Sequence, residues 1–186
     1  MKIFRSRIDP ELVALLQAGG IAVVRTDTLY GLVARADDEQ AVERVYMAKQ
    51  RDHSKGCIVL VADESMLYDQ PPTINDPILS QVWPGPVSVV LPSPSAPDWL
   101  LRVGDDTLAY RCPADAELRA LVAQTGPLIA PSANPEGLLP AGNIEQAIAY
   151  FGDAVDAYID SGDVPAGVAA SQLIVIAQDG TVQRLR

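Results

Sequence analysis

Short runs of aliphatic residues, each bounded by Gly, Pro or polar turn residues, constrain the fold of this chain more than any other feature. Residues 21–24, 87–91 and 173–176 are such runs, and each is too short for a core helix. Their lengths suit buried β-strands that are covered on both faces. Further strands are expected at 56–62, 107–112, 128–130, 158–159 and 182–185. A sheet of roughly seven or eight strands is therefore predicted.

Helices are predicted between the strands, where apolar residues recur every three or four positions. In residues 10–18 the apolar stripe includes Leu12 and Leu16, with Asp9 as the cap and Pro10 in the first turn. Further helices are expected at 39–49, 78–82, 116–124 and 143–150, a short helix or turn at 63–69, and loops at 26–31, 70–77 and 92–97. No regular βαβ period and no linker is visible. The sequence thus predicts one α/β domain over residues 1–186, with a twisted mixed sheet flanked by helices.

The charge of the chain limits its binding partners. Lys and Arg number 14 against 24 Asp and Glu, a formal net charge of -10. Such a surface repels nucleic acid, so tight, sequence-independent RNA binding is not expected. Lys49, Arg51 and Lys55 nevertheless fall within seven positions, and Lys2 is the only other lysine. This clustering favours a local basic cleft over charge spread along a solvated face.

Several classes of protein are disfavoured by what the chain lacks. Cys57 and Cys112 stand beside apolar residues, which favours buried thiols in a reducing cytoplasm, although a disulfide between them stays open. His53 and Cys57 lie four residues apart without a second ligand pair, so no metal site is expected. The single histidine supports no Ser/His/Asp triad. With no signal-peptide pattern and no run of about 18 apolar residues, a cytoplasmic protein that spans no membrane is expected.

Polar groups follow two of the predicted strands. The segment Thr26-Asp27-Thr28-Leu29-Tyr30-Gly31 lies beyond the carboxyl end of the first, where open α/β sheets commonly bind ligands. Turn chemistry explains Asp27 and Gly31 as well. Arg111 ends another strand just before Pro113. Its guanidinium is suited either to a substrate carboxylate or to a surface ion pair with one of the many acidic residues.

Two further segments carry groups suited to a nucleotide. Lys49, Arg51 and Lys55 can hold a triphosphate, with Ser54 adding a hydroxyl. The charge of Lys49 would also complement a helix C-terminus. The turn Ser132-Ala133-Asn134 can bind phosphate or ribose oxygens, although such tripeptides are common in loops. Neither G-x-x-x-x-G-K-[ST] nor G-x-G-x-x-G occurs, so side chains would have to hold the nucleotide.

Taken in order, these segments resemble the YrdC/Sua5 family of threonylcarbamoyl-adenylate synthases. The resemblance runs from about Asp9 to Arg184 and rests on Thr26-Asp27-Thr28-Leu29-Tyr30-Gly31, Lys49 with Arg51, Lys55, Trp83-Pro84-Gly85-Pro86, Arg111 with Pro113, Ser132 with Asn134, and Ser171 with Arg184. The family makes threonylcarbamoyl-AMP and pyrophosphate from L-threonine, bicarbonate and ATP, for N6-threonylcarbamoyladenosine in tRNA. The resemblance implies this activity, and a YrdC-like fold with a concave basic cleft.

The resemblance also implies roles for individual residues. Lys49 and Arg51 would be catalytic. ATP and its phosphates would be held by Lys49, Arg51, Ser54, Lys55, Ser132, Asn134, Ser171 and Arg184. Threonine would be held by Thr26, Thr28, Tyr30 and Arg111. Mg²⁺ is expected to accompany ATP, and proteins of tRNA modification are candidate partners.

Three positions depart from the family pattern. Arg25 replaces the usual Pro, Glu136 stands where Ser is common, and Gln172 replaces Thr. Because the chain ends at Arg186, it is expected to be of the short YrdC type, without the C-terminal domain of the longer Sua5 proteins. The departures leave a second hypothesis open, a relative that binds nucleotide or RNA without synthase activity. A third is an unrelated α/β protein that matches these segments by chance.

Overall fold

The computed structural model describes residues 1–70, 77–102, 104–176 and 181–186, and the elements below belong to these ranges. The α-helices are α1 (Pro10–Gln17), α2 (Glu39–Lys49), α3 (Pro77–Val82), α4 (Ala116–Thr125) and α5 (Ile144–Phe151). The strands are β1 (Lys2–Phe4), β2 (Ala22–Arg25), β3 (Tyr30–Arg35), β4 (Ile58–Leu60), β5 (Val87–Pro92), β6 (Thr107–Arg111), β7 (Leu128–Ile129), β8 (Ala157–Ile159), β9 (Gln172–Ile176) and β10 (Val182–Arg184).

The strands form one mixed sheet in the order β1-β8-β2-β3-β7-β4-β6-β5-β9-β10. Strand β8 pairs in parallel with β1 and β2, β4 with β6, and β5 with β9. The remaining pairs are antiparallel, including the β2–β3 hairpin and β5–β6. The predicted α/β fold with a mixed sheet is therefore confirmed.

Apolar clusters cover both faces of the sheet, as the continuous aliphatic runs predict. Ala22 and Val24 of β2 pack into one cluster with Leu118 of α4. Val23, which points to the opposite face, packs into the other cluster with Val45 of α2. Since side chains alternate along a strand, a strand covered by helices on both faces needs apolar residues at every position.

The helix ends follow the local signals in the sequence. Asp9 caps α1, because its Oδ1 accepts a hydrogen bond from the backbone N–H of Glu11 at 2.9 Å, and Pro10 occupies the first turn. Asn143 caps α5 in the same way through the backbone N–H of Gln146. The predicted helices and strands agree with the observed ones to within one or two residues at most ends.

Strands β1 and β3 were not predicted from the sequence. The loop predicted at residues 26–31 ends earlier than expected, because β3 begins within it. Strand β1 is short, and β3 begins at Tyr30, inside the segment 26–31 expected to be a loop. The start of β3 is fixed by a distant partner, since Gly31 pairs with both Val24 and Ser132. A Cβ at Gly31 would lie 3.1 Å from the carbonyl oxygen of Pro131, so glycine permits this close approach. The predicted loop 70–77 lies largely outside the described residues.

The structure also bears on the two cysteines and on the absence of a predicted membrane span. Cys57 and Cys112 are both free and buried, as expected, and they form no disulfide. In the described part of the chain, no helix combines the length and the apolar character needed to cross a bilayer.

Candidate functional site

A cavity of about 220 Å³ lies where the β2–β3 loop, the end of β6, the turn after β7 and the C-terminal residues meet. Its described lining includes the arginines Arg51, Arg102, Arg111 and Arg186 and no carboxylate. In a chain with a formal net charge of -10, this lining is a local concentration of positive charge. The cavity shares Thr28, Arg51, Arg111 and Ser132 with the concave basic cleft that the sequence predicted.

The predicted site residues divide into two groups around this cavity. The lining contains Thr26, Thr28, Tyr30, Arg51, Arg111, Ser132 and Ser171. The remaining candidates are not part of the described lining: Lys49, Ser54, Lys55, Asn134 and Arg184.

Arg111 is buried at the cavity wall, with only 3% of its surface exposed. Its Nη2 lies 3.4 Å from Asp27 Oδ1, and its Nη1 donates to Thr28 Oγ1 at 3.4 Å. Burial lowers the pKa of the guanidinium, and the Asp27 charge opposes that shift. Within the described ranges, Arg111 Nε has no hydrogen-bond partner. The interpretation of Arg111 as a surface ion pair does not hold, and a buried, unused donor is suited to an anionic ligand.

The β2–β3 loop presents hydroxyl groups beside this arginine. Thr26 and Thr28 are buried, and their Oγ1 atoms lie 3.0 Å apart. Tyr30 also lines the cavity, but its hydroxyl donates to the carbonyl of Gly162 at 2.8 Å. Arg25, one of the departures from the family pattern, donates to the carbonyl of Ser161 at 2.8 Å. Thr26 Oγ1 donates to the carbonyl of Leu29 at 2.8 Å and accepts from the backbone N–H of Thr28, so it stabilises the loop that carries Thr28. Tyr30 and Arg25 anchor the segment after β8.

Lys49, the last residue of α2, is only 2% exposed. Its Nζ donates to the carbonyl oxygens of Ser132 and Asn134 and lies 3.4 Å from Asn134 Oδ1. An ammonium has three donors, so these contacts use all of them. The structure brings Lys49, Ser132 and Asn134 together as predicted. Complementing a helix C-terminus does not explain such deep burial, and the contacts show that Lys49 holds the turn in place.

Asn134 is equally occupied within the protein. Its Oδ1 accepts from Ser132 Oγ at 2.7 Å, and its Nδ2 donates to the carbonyl oxygens of Pro135 and Leu138. The turn therefore has a fixed internal network. Ser132 belongs to this network and also lines the cavity.

The buried position of Lys49 predicts a specific dependence of stability on pH. Burial, together with the charge of Arg51, lowers the pKa of Lys49 from 10.5 to about 8. Between these two values the unfolded chain binds a proton that the folded protein does not, so this contribution to stability rises with pH. We expect the free energy of unfolding of the wild type, relative to that of Lys49→Met, to rise across this window by up to about 1.4 kcal/mol per pH unit. Urea denaturation of both proteins between these pH values measures it, and a difference independent of pH would contradict it.

Arg51 and Lys55 have different surroundings despite their proximity in sequence. Arg51 Nε donates to the carbonyl of Lys55 at 3.3 Å, and its Nη2 donates to the carbonyl of Gly56 at 3.0 Å. Lys55 Nζ instead forms an ion pair with Glu136, and this hydrogen bond lowers the pKa of the Glu136 carboxyl. Ser54 lies along a separate groove, beside α2. Of the predicted cluster of cations, Arg51 alone is part of the described cavity lining.

Of the two C-terminal arginines, Arg186 lines the cavity, whereas the predicted Arg184 is not part of the described lining. Arg184 lies in β10, where its Nε donates to the backbone carbonyl of Arg186. Arg186 lines the cavity and donates to the carbonyl of Ser171 at 3.1 and 3.2 Å. Ser171 Oγ lies 3.1 Å from Ser88 Oγ. Arg184 and Arg186 are two positions apart, and residues two apart in a strand point to the same face of the sheet. Strand alternation therefore could not show which of the two lines the cavity.

The cavity does not offer a dedicated magnesium site. Mg²⁺ prefers carboxylate and phosphate oxygens, and the described lining contains no carboxylate. In the described part of the chain, no group of three His, Cys, Asp or Glu residues is placed to hold a metal ion.

Comparisons with protein-family models, with curated proteins and with solved structures all point to one family. The family model Sua5_yciO_yrdC, described as telomere recombination, matches residues 14–186. A putative threonylcarbamoyl-AMP synthase of Mycobacterium tuberculosis (strain ATCC 25618 / H37Rv) is 32% identical over 186 residues, which cover 98% of this chain and 84% of that protein. The threonylcarbamoyl-AMP synthase of Idiomarina loihiensis is 35% identical over 150 residues, which cover 76% of this chain and 79% of that protein.

The similarity extends to a solved structure. The crystal structure of P. abyssi Sua5 complexed with L-threonine superposes with a TM-score of 0.85 at 29% identity, covering 100% of this chain and 56% of Sua5. This chain therefore spans just over half the length of that protein.

Proposed function

The chain belongs to the Sua5/YciO/YrdC family, and on that premise we propose that it is an L-threonylcarbamoyladenylate synthase. The reaction forms threonylcarbamoyl-AMP and pyrophosphate from L-threonine, bicarbonate and ATP, for the N6-threonylcarbamoyladenosine modification of tRNA. The observation that carries the proposal is the buried Arg111, which lines a cavity whose described lining holds no Asp or Glu residue. In the described part of the chain its Nε has no hydrogen-bond partner.

Threonine is proposed to bind with its carboxylate on Arg111. A guanidinium offers parallel N–H groups that match the two oxygens of a carboxylate, and burial strengthens such a charge-assisted pair. Asp27 balances the arginine in the absence of substrate, since it lies 3.4 Å from Nη2. The hydroxyl of Thr28, which lies beside Arg111 Nη1, is proposed to contact the polar groups of the amino acid, and Thr26 holds the loop through its bond to the carbonyl of Leu29.

The proposed chemistry requires positive charge and hydrogen-bond donors. The threonine amine attacks the carbon of bicarbonate, and loss of water leaves a carbamate. A carbamate oxygen then attacks the α-phosphorus of ATP, and the bond to the β-phosphate breaks to release pyrophosphate. Negative charge is carried by phosphate oxygens throughout, so preorganised cations such as Arg51 and Arg186 supply the stabilisation.

Two of the residues that the resemblance assigns to the nucleotide are proposed to act indirectly. Lys49 and Asn134 use their polar atoms within the protein, so we assign them to positioning the turn that carries Ser132. Mg²⁺ would enter with ATP, held by phosphate oxygens. We also propose that the protein works in the cytoplasm with tRNA-modification partners. The two free, buried thiols support a reducing compartment.

The proposal is tested by measuring pyrophosphate release from the purified protein. ATP, L-threonine and bicarbonate are supplied together, and each is then omitted in turn. We expect release to depend on all three substrates. Release without threonine would indicate a different nucleotide-cleaving activity.

One observation favours a second candidate, a family member that binds nucleotide without acting as a synthase. Glu136 neutralises Lys55, a cation that the resemblance assigns to phosphate binding. If ATP binds in calorimetry but no pyrophosphate is released with all three substrates present, this candidate replaces the synthase.

A further inference from the structure

Arg102 was not identified by any sequence pattern, yet it lies at the wall of the basic cavity. It also borders the separate groove that runs beside α2, so it stands at the junction of the two. In the described part of the chain, its guanidinium has no carboxylate within 4.0 Å and makes no side-chain hydrogen bond that would occupy it. An exposed arginine without a partner is unusual in a chain with 24 acidic residues, and at a cavity wall it is a ready donor for an anion.

Gly56 brings Arg102 close to Arg51. Arg51 Nη2 donates to the carbonyl oxygen of Gly56 at 3.0 Å. A Cβ at Gly56 would lie 3.3 Å from Arg102 Nε and 3.9 Å from Arg102 Cζ. The two guanidinium groups therefore both lie against the same glycine, and the missing side chain allows Arg102 to approach the backbone.

The positive charge of Lys55, which lies near Arg51 in the sequence, is already balanced by a carboxylate. Lys55 Nζ is paired with Glu136, and Glu136 also accepts from the backbone N–H of Asp52 at 3.4 Å. A triphosphate at Lys55 would approach the Glu136 carboxylate, whereas in the described part of the chain neither Arg51 nor Arg102 forms an ion pair with a carboxylate.

We propose that Arg102 and Arg51 form a phosphate subsite that holds the terminal phosphates of ATP and the pyrophosphate released from them. Arg102 takes the place that the resemblance gives to Lys55. This inference rests on the proposed synthase function and names the residue that determines binding of the leaving group. Two guanidinium groups, each with N–H donors in a fixed planar arrangement, can make more directed hydrogen bonds to one polyanion than a single lysine can.

Calorimetric titration with inorganic pyrophosphate tests the subsite in the full-length protein. Arg102→Gln is expected to weaken pyrophosphate binding by about tenfold or more and to leave threonine binding unchanged. Arg5→Gln is the matched control, because it removes the same charge at an exposed position outside the cavity. Lys55→Gln combined with Glu136→Gln removes both members of the ion pair and keeps the local net charge, so it is expected to weaken binding by less than about threefold.

Gly56→Ala provides a second variant that keeps every charge. Its methyl group would lie 3.3 Å from Arg102 Nε, so the Arg102 side chain would have to shift by a few tenths of an ångström. A weakening of pyrophosphate binding smaller than that of Arg102→Gln, and in the same direction, is expected. The proposal is wrong if the wild type binds no pyrophosphate, if Arg102→Gln binds it normally, or if Arg5→Gln weakens binding equally. If the wild type binds pyrophosphate through Arg102 but makes no threonylcarbamoyl-AMP, the subsite stands and the synthase assignment fails.

Discussion

Replacing Arg111 with lysine is expected to lower kcat/KM for L-threonine by about a hundredfold or more. The substitution keeps a positive charge opposite Asp27, so the buried carboxylate retains a partner. It removes the planar guanidinium group, whose N–H donors are proposed to bind the threonine carboxylate. The measurement is threonine-dependent pyrophosphate release over a range of threonine concentrations.

Arg119→Lys is the matched control for this experiment. Arg119 donates to the carbonyl oxygens of Pro113 and Ala114 and is not part of the described cavity lining. It should retain the wild-type kcat/KM. If Arg111→Lys also turned over threonine normally, bidentate recognition at Arg111 would be excluded.

Replacing Arg51 with alanine is expected to lower kcat by about a hundredfold or more, while the melting temperature stays close to that of the wild type. The side chain makes two hydrogen bonds to backbone carbonyls at the cavity wall, and neither is in the apolar core. Loss of such bonds costs about 0.5–1.5 kcal/mol each in stability. Removal of a donor to a developing charge typically raises the barrier by about 2.7–4 kcal/mol.

Two measurements on the same preparation separate catalysis from folding. Thermal unfolding reports whether Arg51→Ala is folded, and pyrophosphate release reports turnover. Arg51→Lys is the sharper variant, since it keeps the charge and removes the fork. A variant that melts early but turns over normally would show that Arg51 is a structural residue.

The fold could be predicted wherever the information was local. The cap at Asp9, the apolar stripe of α1 and the aliphatic run of β2 each lie within a few residues, and each was correct. Strand β3 could not be recognised, because its start depends on pairing with β2 and on the close approach of Pro131 to Gly31. Such contacts join residues far apart in the chain and leave no local pattern.

The sequence predicted several of the residues at the cavity but could not show the contacts that their side chains make. Lys49 continues the buried face that Val42, Val45 and Tyr46 form on α2, so helical spacing contained a signal for its burial. The sequence could not show that its donors would be used by the turn at Ser132. Nor could it show the Lys55–Glu136 pair, whose members lie 81 positions apart. Arg102 belongs to no motif, and the fold alone brings it to the cavity.

Mass spectrometry of the product formed from ATP, L-threonine and ¹³C-labelled bicarbonate tests the central claim most directly. The wild-type protein is predicted to give threonylcarbamoyl-AMP that carries the label, together with pyrophosphate. Formation of AMP or ADP without a labelled threonine adduct would contradict the assignment of this cavity to threonylcarbamoyl-AMP synthesis.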